Sequence, residues 1–316
     1  MKASVIVCTR DRCARLEALL ASVAAAKPVA GMDLELVVVD DGSKDATGVT
    51  VKRFAACVDF PVHLLVQQPG RGLAAARNRG LREVRGDLIV FLDDDCVVSP
   101  NYFRELTARF AADDQPVFRG GRVVLGDPAD APLTIKTSPY MERLADRADP
   151  GGFILGCNMA MPRVVLAKVG LFDERFGAGA PLKSAEDTDY MLRASLAGFR
   201  VEYVPDMTVY HHHGRRTAQQ VGRVHHNYCI GNGALAMKHT FSAPWLWRTR
   251  YWTLRNAMKE MFGGPPFAPE LGMSHAPIIA YNIVGACLFL LAKARRASPW
   301  REPVDVELVK TPARVA

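Results

Sequence analysis

The chain has 316 residues, 49% of them hydrophobic, with mean hydropathy near zero, which is enough to bury one large core and excludes a disordered chain. Its formal net charge of +7 is uneven: from Gly214 onward fourteen Lys or Arg face five Asp or Glu, so that third carries +9 and the first 213 residues −2. Seven cysteines with no C-x-x-C pair argue against a disulfide framework and fit a reducing, cytoplasmic setting.

The N-terminus passes from "MK" straight into "ASVIVCT", so no export signal is expected. Residues 3–8 (ASVIVC), 34–39 (LELVVV), 62–66 (VHLLV) and 88–92 (LIVFL) read as strands buried on both faces. Between them, Leu16, Leu19, Leu20 and Val23 form one helical stripe, and Leu73, Ala76, Gly80, Leu81 and Val84 a second. Strands alternating with helices predict a mostly parallel α/β sheet flanked by helices. Periodicity weakens from about residue 110. There "DTDYMLRASLAG" predicts a helix with Tyr190, Met191, Ala194 and Leu196 inward and Gly198 as its stop, then strands "RVEYV" and "MTVYH". In the basic third, Trp247, Tyr251, Leu254, Met258 and Met261 share one helical face, with Arg248, Arg255 and Lys259 off it. This is the layout of an interfacial helix, or of one packed on the main domain. Interleaved aromatic and basic residues can also bind single strands, but the helical spacing favours a membrane surface over nucleic acid. Residues 276–292 form an apolar stretch at the lower limit for crossing a bilayer, followed by Lys293, Arg295 and Arg296.

Ligands of such sheets bind beyond the carboxyl ends of the strands. The first strand ends in "TRDR", the second in "DDGS" and the fourth in Asp93, Asp94 and Asp95. Each of the first two has a plain structural reading, with Asp11, Ser43 or Asp45 as helix caps. Three adjacent carboxylates repel one another unless neutralised. Strand alternation sends Asp93 and Asp95 to one side, where Mg²⁺ or Mn²⁺ would relieve the repulsion. Glu186, Asp187 and Asp189 at the head of a helix suit its dipole, and one of them also suits a general base. "HHH" (His211 to His213) follows a strand, and His211 or His213 could complete a metal site with Asp95.

The set "SVIVCTRDR", "LVVVDDGSKDAT", "GRGLAAARNRGL", "GDLIVFLDDDC", "GCNMAMPR", "EDTDYMLRASLAGFRVEYVP" and "VYHHHG", in order over residues 3 to 214, resembles the family 2 glycosyltransferases of the GT-A fold. The resemblance implies a nucleotide-diphosphate-sugar donor, Mn²⁺ or Mg²⁺, and inversion at the anomeric carbon. It implies Thr9, Arg10, Asp40 (or Asp41, one register along), Arg77, Asp93 and Asp94 around the nucleotide. Asp95, with Asp93 and His211, would hold the metal. Asp187 would be the catalytic base with Glu186 beside it, and Gly156 and Asn158 would shape the donor-sugar or acceptor pocket. The expected organisation is a catalytic domain over residues 1–213, a helical basic extension over 214–295 and a tail over 296–316. The expected partners are the donor and a lipid-linked or growing cell-envelope glycan, at the inner face of a membrane and without nucleic acid. The rival enzyme, a sugar-nucleotide nucleotidyltransferase, would want a Gly-rich loop after the first strand, and "TRDRCARLEALL" has no glycine.

Overall fold

The computed structural model describes residues 1–26, 31–269 and 273–292. Its first part alternates strand and helix as the apolar runs predict: β1 (Lys2–Thr9), α1 (Cys13–Ala25), β2 (Asp33–Asp40), α2 (Thr47–Ala55), β3 (Val62–Val66), α3 (Leu73–Leu81) and β4 (Leu88–Asp93). β1 lies between β2 and β4, all parallel, with β3 beyond β2. Side chains alternate along β1, so Ala3, Val5 and Val7 meet the α1 stripe while Ile6 packs with Ala76 and Leu81 of α3 on the other face. The loop "DDGSKDAT" joins two helix starts through Asp45, which accepts from the Cys13 backbone N–H at 2.9 Å and the Thr47 N–H at 3.0 Å. Asp11 caps neither helix. Its carboxylate accepts from the Lys44 N–H at 2.7 Å.

Beyond β4 the chain forms β5 (Cys96–Val98), α4 (Tyr102–Ala111), β6 (Val117–Leu125), β7 (Glu142–Arg143), β8 (Asn158–Pro162), α5 (Arg163–Val169), α6 (Glu186–Leu196) and β9 (Arg200–His211). Here the sheet becomes mixed: β8 runs antiparallel to β4 and β6, while β6 and β9 are parallel. The order is β3-β2-β1-β4-β8-β6-β9-β5, with β7 on β9. Periodicity reports burial and not direction, so this reversal carries no local signal. The two strands expected after α6 are one strand, β9. Its register against β6 slips from Gly121↔Val204 to Arg122↔Thr208, which absorbs Pro205, Asp206 and Met207 in a bulge.

Among the described residues three helices follow: α7 (Ala218–Lys238), α8 (Leu246–Met261) and α9 (His275–Leu291). A capping box of Thr217 and Gln220 opens α7. On α6, Tyr190, Met191 and Ala194 are buried as expected, but Leu196 is exposed. Leu192 is buried instead, among Ala234, Leu235 and Ala236 of α7. Asp189 of α6 is fully buried and meets Lys238 Nζ at 2.7 Å, His239 Nε2 at 2.9 Å and Arg193 Nε at 2.9 Å. Burial opposes its charge, yet the Lys238 and Arg193 charges, with the His239 hydrogen bond, outweigh burial and hold the carboxyl well below the usual range.

α7 and α9 cross at backbone contact. A Cβ on Gly233 would overlap the Asn282 carbonyl, and one on Gly285 would overlap that of Ile230. By contrast α8 buries only Leu246 and Ala257. Trp247, Tyr251, Leu254, Met258 and Met261 are exposed, so α8 is held on the main domain through other residues, Thr249 and Arg250 to Asp149 and Arg250 to the Asn232 carbonyl, and not through this stripe. Among the described residues no helix is long and apolar enough to cross a membrane. Lys293, Arg295, Arg296 and the tail lie outside the described residues.

Gly285→Val should separate α7 from α9 and lower stability by about 1–3 kcal/mol, the usual range for overpacking. Denaturant unfolding of the variant beside the wild type measures this, and an unchanged midpoint would contradict the close crossing.

Candidate active site

Loops at the carboxyl ends of β1, β2 and β4, with the head of α6, the end of β9 and one face of α7, enclose a cavity of about 490 Å³. Thr9, Arg10, Asp41, Arg77, Asp93, Asp94, Asp95, Gly156, Glu186, Asp187 and His211 all line it. Two expected residues do not. Asp40, buried at the end of β2, accepts from the Ser43 N–H at 2.7 Å. Asn158 is fully buried in the sheet, where it accepts from Tyr102 Oη at 2.8 Å and donates to the Met207 and Arg122 carbonyls at 2.7 and 3.1 Å. Its polar atoms are spent joining β8 to α4, β6 and β9. Asp41 lines the cavity, but its carboxylate accepts from the Arg71 and Gly72 N–H groups and from Gln67 Nε2, at 2.7 to 2.9 Å.

The three aspartates do not separate as strand alternation predicts, because β4 ends at Asp93 and the chain turns through Asp94 and Asp95. Arg12 Nη1 donates to both Asp94 Oδ1 (2.9 Å) and Asp95 Oδ2 (3.1 Å), and Arg15 stands 3.5 Å from Asp95 Oδ2. Burial pushes Asp94 up to about 6. Burial pushes Asp95 the same way, but His211, Arg12 and Arg15 hold it at about 2. Asp95 Oδ1 is buried without a hydrogen-bond partner and lies 3.3 Å from His211 Nε2. Neighbouring ligands of an octahedral ion with bonds of about 2.1 Å stand roughly 3 Å apart, so this oxygen and nitrogen fit a divalent cation. Cys96 is the third potential ligand within reach. Its thiol is pushed well up by Cys157 and by burial, which disfavours the thiolate a metal needs. His213 belongs elsewhere, with Nε2 at 3.1 Å from the Ala131 carbonyl.

Arg77, only 2% exposed, joins the parts of the site. It donates to Asp93 Oδ1 (3.1 Å), Glu186 Oε1 (3.0 Å) and the Gly156 carbonyl (3.0 Å), and lies 5.7 Å from the Phe91 and Phe172 ring centres. Gly156 returns the link: its N–H donates to Asp187 Oδ2 at 2.9 Å. A Cβ there would meet that oxygen at 2.8 Å and Arg77 at 3.1 Å, so residue 156 has to be small. Thr188 donates through its N–H to Asp187 Oδ1 at 2.7 Å, leaving a half-buried, oriented carboxylate at the cavity wall. Burial and then the Asp187 charge push Glu186 up to about 7, against the pull of Arg77.

Motif reading missed the contribution of α7. Val224, Asn227 and Tyr228 line the cavity, as does Arg215, so the lining crosses the boundary expected after residue 213. Ser184 Oγ donates to the Asn227 carbonyl at 2.9 Å and seats α7 against the head of α6. Arg12 was visible in "TRDR", but its pairing with two aspartates some eighty positions away has no local signal.

A model of glycosyl transferase family 2 matches residues 4–170, and one of glycosyl transferase family group 2 matches residues 88–292. The chain is 27% identical over 183 residues to a glucosyl-dolichyl phosphate glucuronosyltransferase of Haloferax volcanii, covering 56% of this chain and 58% of that protein. It is 26% identical over 164 residues to a dolichol-phosphate mannosyltransferase of Pyrococcus furiosus, covering 52% and 42%. The chain thus spans about half the length of these curated relatives. Among solved structures, the mannosyltransferase PcManGT from Pyrobaculum calidifontis, in complex with GDP-Man and Mn²⁺, superposes with a TM-score of 0.57 at 20% identity over 92% of this chain and 87% of that one. That likeness is one of fold.

Arg77→Lys keeps a charge but cannot span three acceptors. Leaving buried carboxylates unpaired should cost about 3–5 kcal/mol, read by denaturant unfolding, and a wild-type midpoint would remove Arg77 from this role.

Proposed function

The chain belongs to glycosyl transferase family 2, and from that premise we propose that it transfers a sugar from a nucleotide-diphosphate-sugar to an acceptor hydroxyl, by one displacement with inversion. The observation that carries this reading is the meeting, in one cavity, of the strand-end aspartates, His211 and the Glu186–Asp187 pair. Thr9, Arg10 and the loop after β2 at Asp41 serve the nucleotide, beside Asp93, Asp94 and Arg77, while Asp40 shapes that loop from outside the cavity. Asp187, oriented by Gly156 and Thr188, takes the acceptor proton as the hydroxyl attacks the anomeric carbon. Glu186, held by Arg77, supports Asp187 and contacts the acceptor side. Asp95 Oδ1 and His211 Nε2 would hold Mn²⁺ or Mg²⁺, with Asp93 on the adjoining wall. A divalent cation bound there supplies positive charge to the departing diphosphate. The Mn²⁺ and GDP-Man of the Pyrobaculum structure support this donor class.

The acceptor in this reading is a lipid-linked or growing cell-envelope glycan, reached at the inner face of the membrane. Two features support it: the dolichyl-linked names of the relatives, and α8. On α8, exposed Trp247, Tyr251, Trp252, Leu254, Met258 and Met261 are interleaved with exposed Arg248, Arg255 and Lys259. Aromatic and thioether side chains can enter the headgroup region while the cations meet anionic lipid, which makes a peripheral contact.

Calorimetric titration with UDP, GDP and dTDP, with and without Mn²⁺, tests the donor site. One diphosphate should bind, more tightly with the ion. Asp95→Ala should lose the ion-dependent part, whereas Asp187→Asn should keep donor affinity and lower kcat by roughly 10²–10⁴. Donor binding lost in Asp187→Asn with normal turnover in Asp95→Ala would reverse the two roles. For α8, the protein should co-sediment at low salt with vesicles of phosphatidylglycerol and phosphatidylcholine, and the double variant Trp252→Glu, Met258→Glu should not. A wild-type protein that stays in the supernatant would sink the membrane contact.

A further inference from the structure

The segment "HHHGRR" closes β9 and leads into α7, and the metal reading uses only its first histidine. The rest is clasped by a buried carboxylate. Asp130, 4% exposed, accepts from the Gly214 N–H at 2.7 Å and from Arg216 Nε at 3.0 Å, and Arg216 also reaches Asp127. The two backbones meet as well, the Ala131 N–H donating to the Arg215 carbonyl at 2.7 Å. His213 completes the clasp, with Nδ1 accepting from the Arg215 N–H at 3.0 Å and Nε2 at 3.1 Å from the Ala131 carbonyl. That pattern requires the neutral ring with its proton on Nε2, and burial lowers the His213 pKa in the same direction.

Residue 215 is thereby held at the cavity wall, four positions after His211. Its neighbour Arg216 is consumed by Asp127 and Asp130, but among the described residues Arg215 has no carboxylate within ion-pair distance. The other cations there differ. Arg12 and Arg77 are paired with aspartates, Arg10 stands 3.8 Å from Asp11, and Lys183 is an exposed loop residue before α6. A partly buried guanidinium with unspent donors, in the wall of the cavity that also holds the Asp95–His211 pair, matches a phosphate, whose oxygens take two parallel N–H donors.

Resting on the glycosyltransferase reading above, we propose that Arg215 binds the terminal phosphate of the nucleoside diphosphate that departs from the donor. Asp130 is a positioning residue: it touches no substrate and holds the 213–216 loop so that Arg215 meets that phosphate. The chemistry separates this role from nucleoside recognition, because a monophosphate lacks the group Arg215 would bind.

The test is calorimetric titration of the full chain, in Mn²⁺ and in EDTA, with UDP, GDP and dTDP against UMP, GMP and dTMP. Arg215→Gln should weaken the bound diphosphate roughly 10- to 100-fold, the span of a charge-assisted hydrogen bond, and leave the matching monophosphate within about twofold. Arg215→Lys should recover part of the loss. Asp130→Ala should weaken the diphosphate alone, by less than Arg215→Gln. Equal losses for mono- and diphosphate, or no loss, would overturn the proposal while the wild-type titration still upholds the donor site. A wild-type protein that binds no nucleotide would overturn the glycosyltransferase reading itself, and this proposal with it. Melting curves identify a variant that fails to fold. In that case Arg215→Lys carries the comparison, since an ammonium replaces the two-pronged donor without removing charge, and equal diphosphate affinity in it would count against the role.

Discussion

A cation buried to 2% exposure has to be matched by anions or it unfolds its surroundings, and the Arg77 guanidinium meets that demand with Asp93, Glu186 and the Gly156 carbonyl. Those three partners sit on the end of β4, the head of α6 and the turn before β8, segments 16 to 109 positions from Arg77 in the chain. Charge satisfaction in the core therefore also sets the spacing of the site. The aspartate turn and the Glu186–Asp187 pair flank one guanidinium, and Gly156 passes the constraint on to Asp187 through its own N–H. Burial, and then the Asp187 charge, push Glu186 up to about 7 against the pull of Arg77.

The C-terminal helices are part of this construction. α7 is fastened to α6 by the buried Asp189 with Lys238 and His239 at one end, and by Ser184 with Asn227 at the other. Between them Tyr228, 40% exposed, comes to the cavity wall. Glycines at the α7–α9 crossing let α9 brace α7 from behind. α8 is held at its start by Leu246 and by Thr249 and Arg250 on Asp149, farther along by Ala257 and at its end by Glu260 on His275, and its aromatic residues remain outward.

Local patterning made much of this legible. The runs of β1, β2 and β4 are strands covered on both faces, whereas β3, expected to be buried likewise, lies at the sheet edge, half-buried and ending in exposed Val66; the α1 stripe is buried residue for residue. Most of the motif residues meet in one cavity because strand ends and helix starts converge there. The exceptions have specific causes. Asn158 sits within a polar motif but spends its amide inside the sheet, and Leu196 gives way to Leu192 because α7 covers that side of α6. The antiparallel β8 was invisible because strand direction depends on where the chain returns.

By itself the sequence determined the alternation of strand and helix, the clustering of carboxylates at strand ends, and through its ordered motifs the family. These are local properties: apolar period, turn chemistry and residue type at fixed spacing. Only the tertiary structure decided which carboxylates are free. Arg12 takes Asp94 and one oxygen of Asp95, the loop at Arg71 and Gly72 takes Asp41, and Lys238 takes Asp189, whereas Asp95 Oδ1 has no hydrogen bond and faces His211. It likewise decided that Arg215 and not Arg216 belongs to the cavity, since Asp130 had already claimed one of the two. Such choices follow from pairing between segments distant in the chain, where the cost of a buried unpaired charge leaves one arrangement, and no single stretch of sequence carries that information.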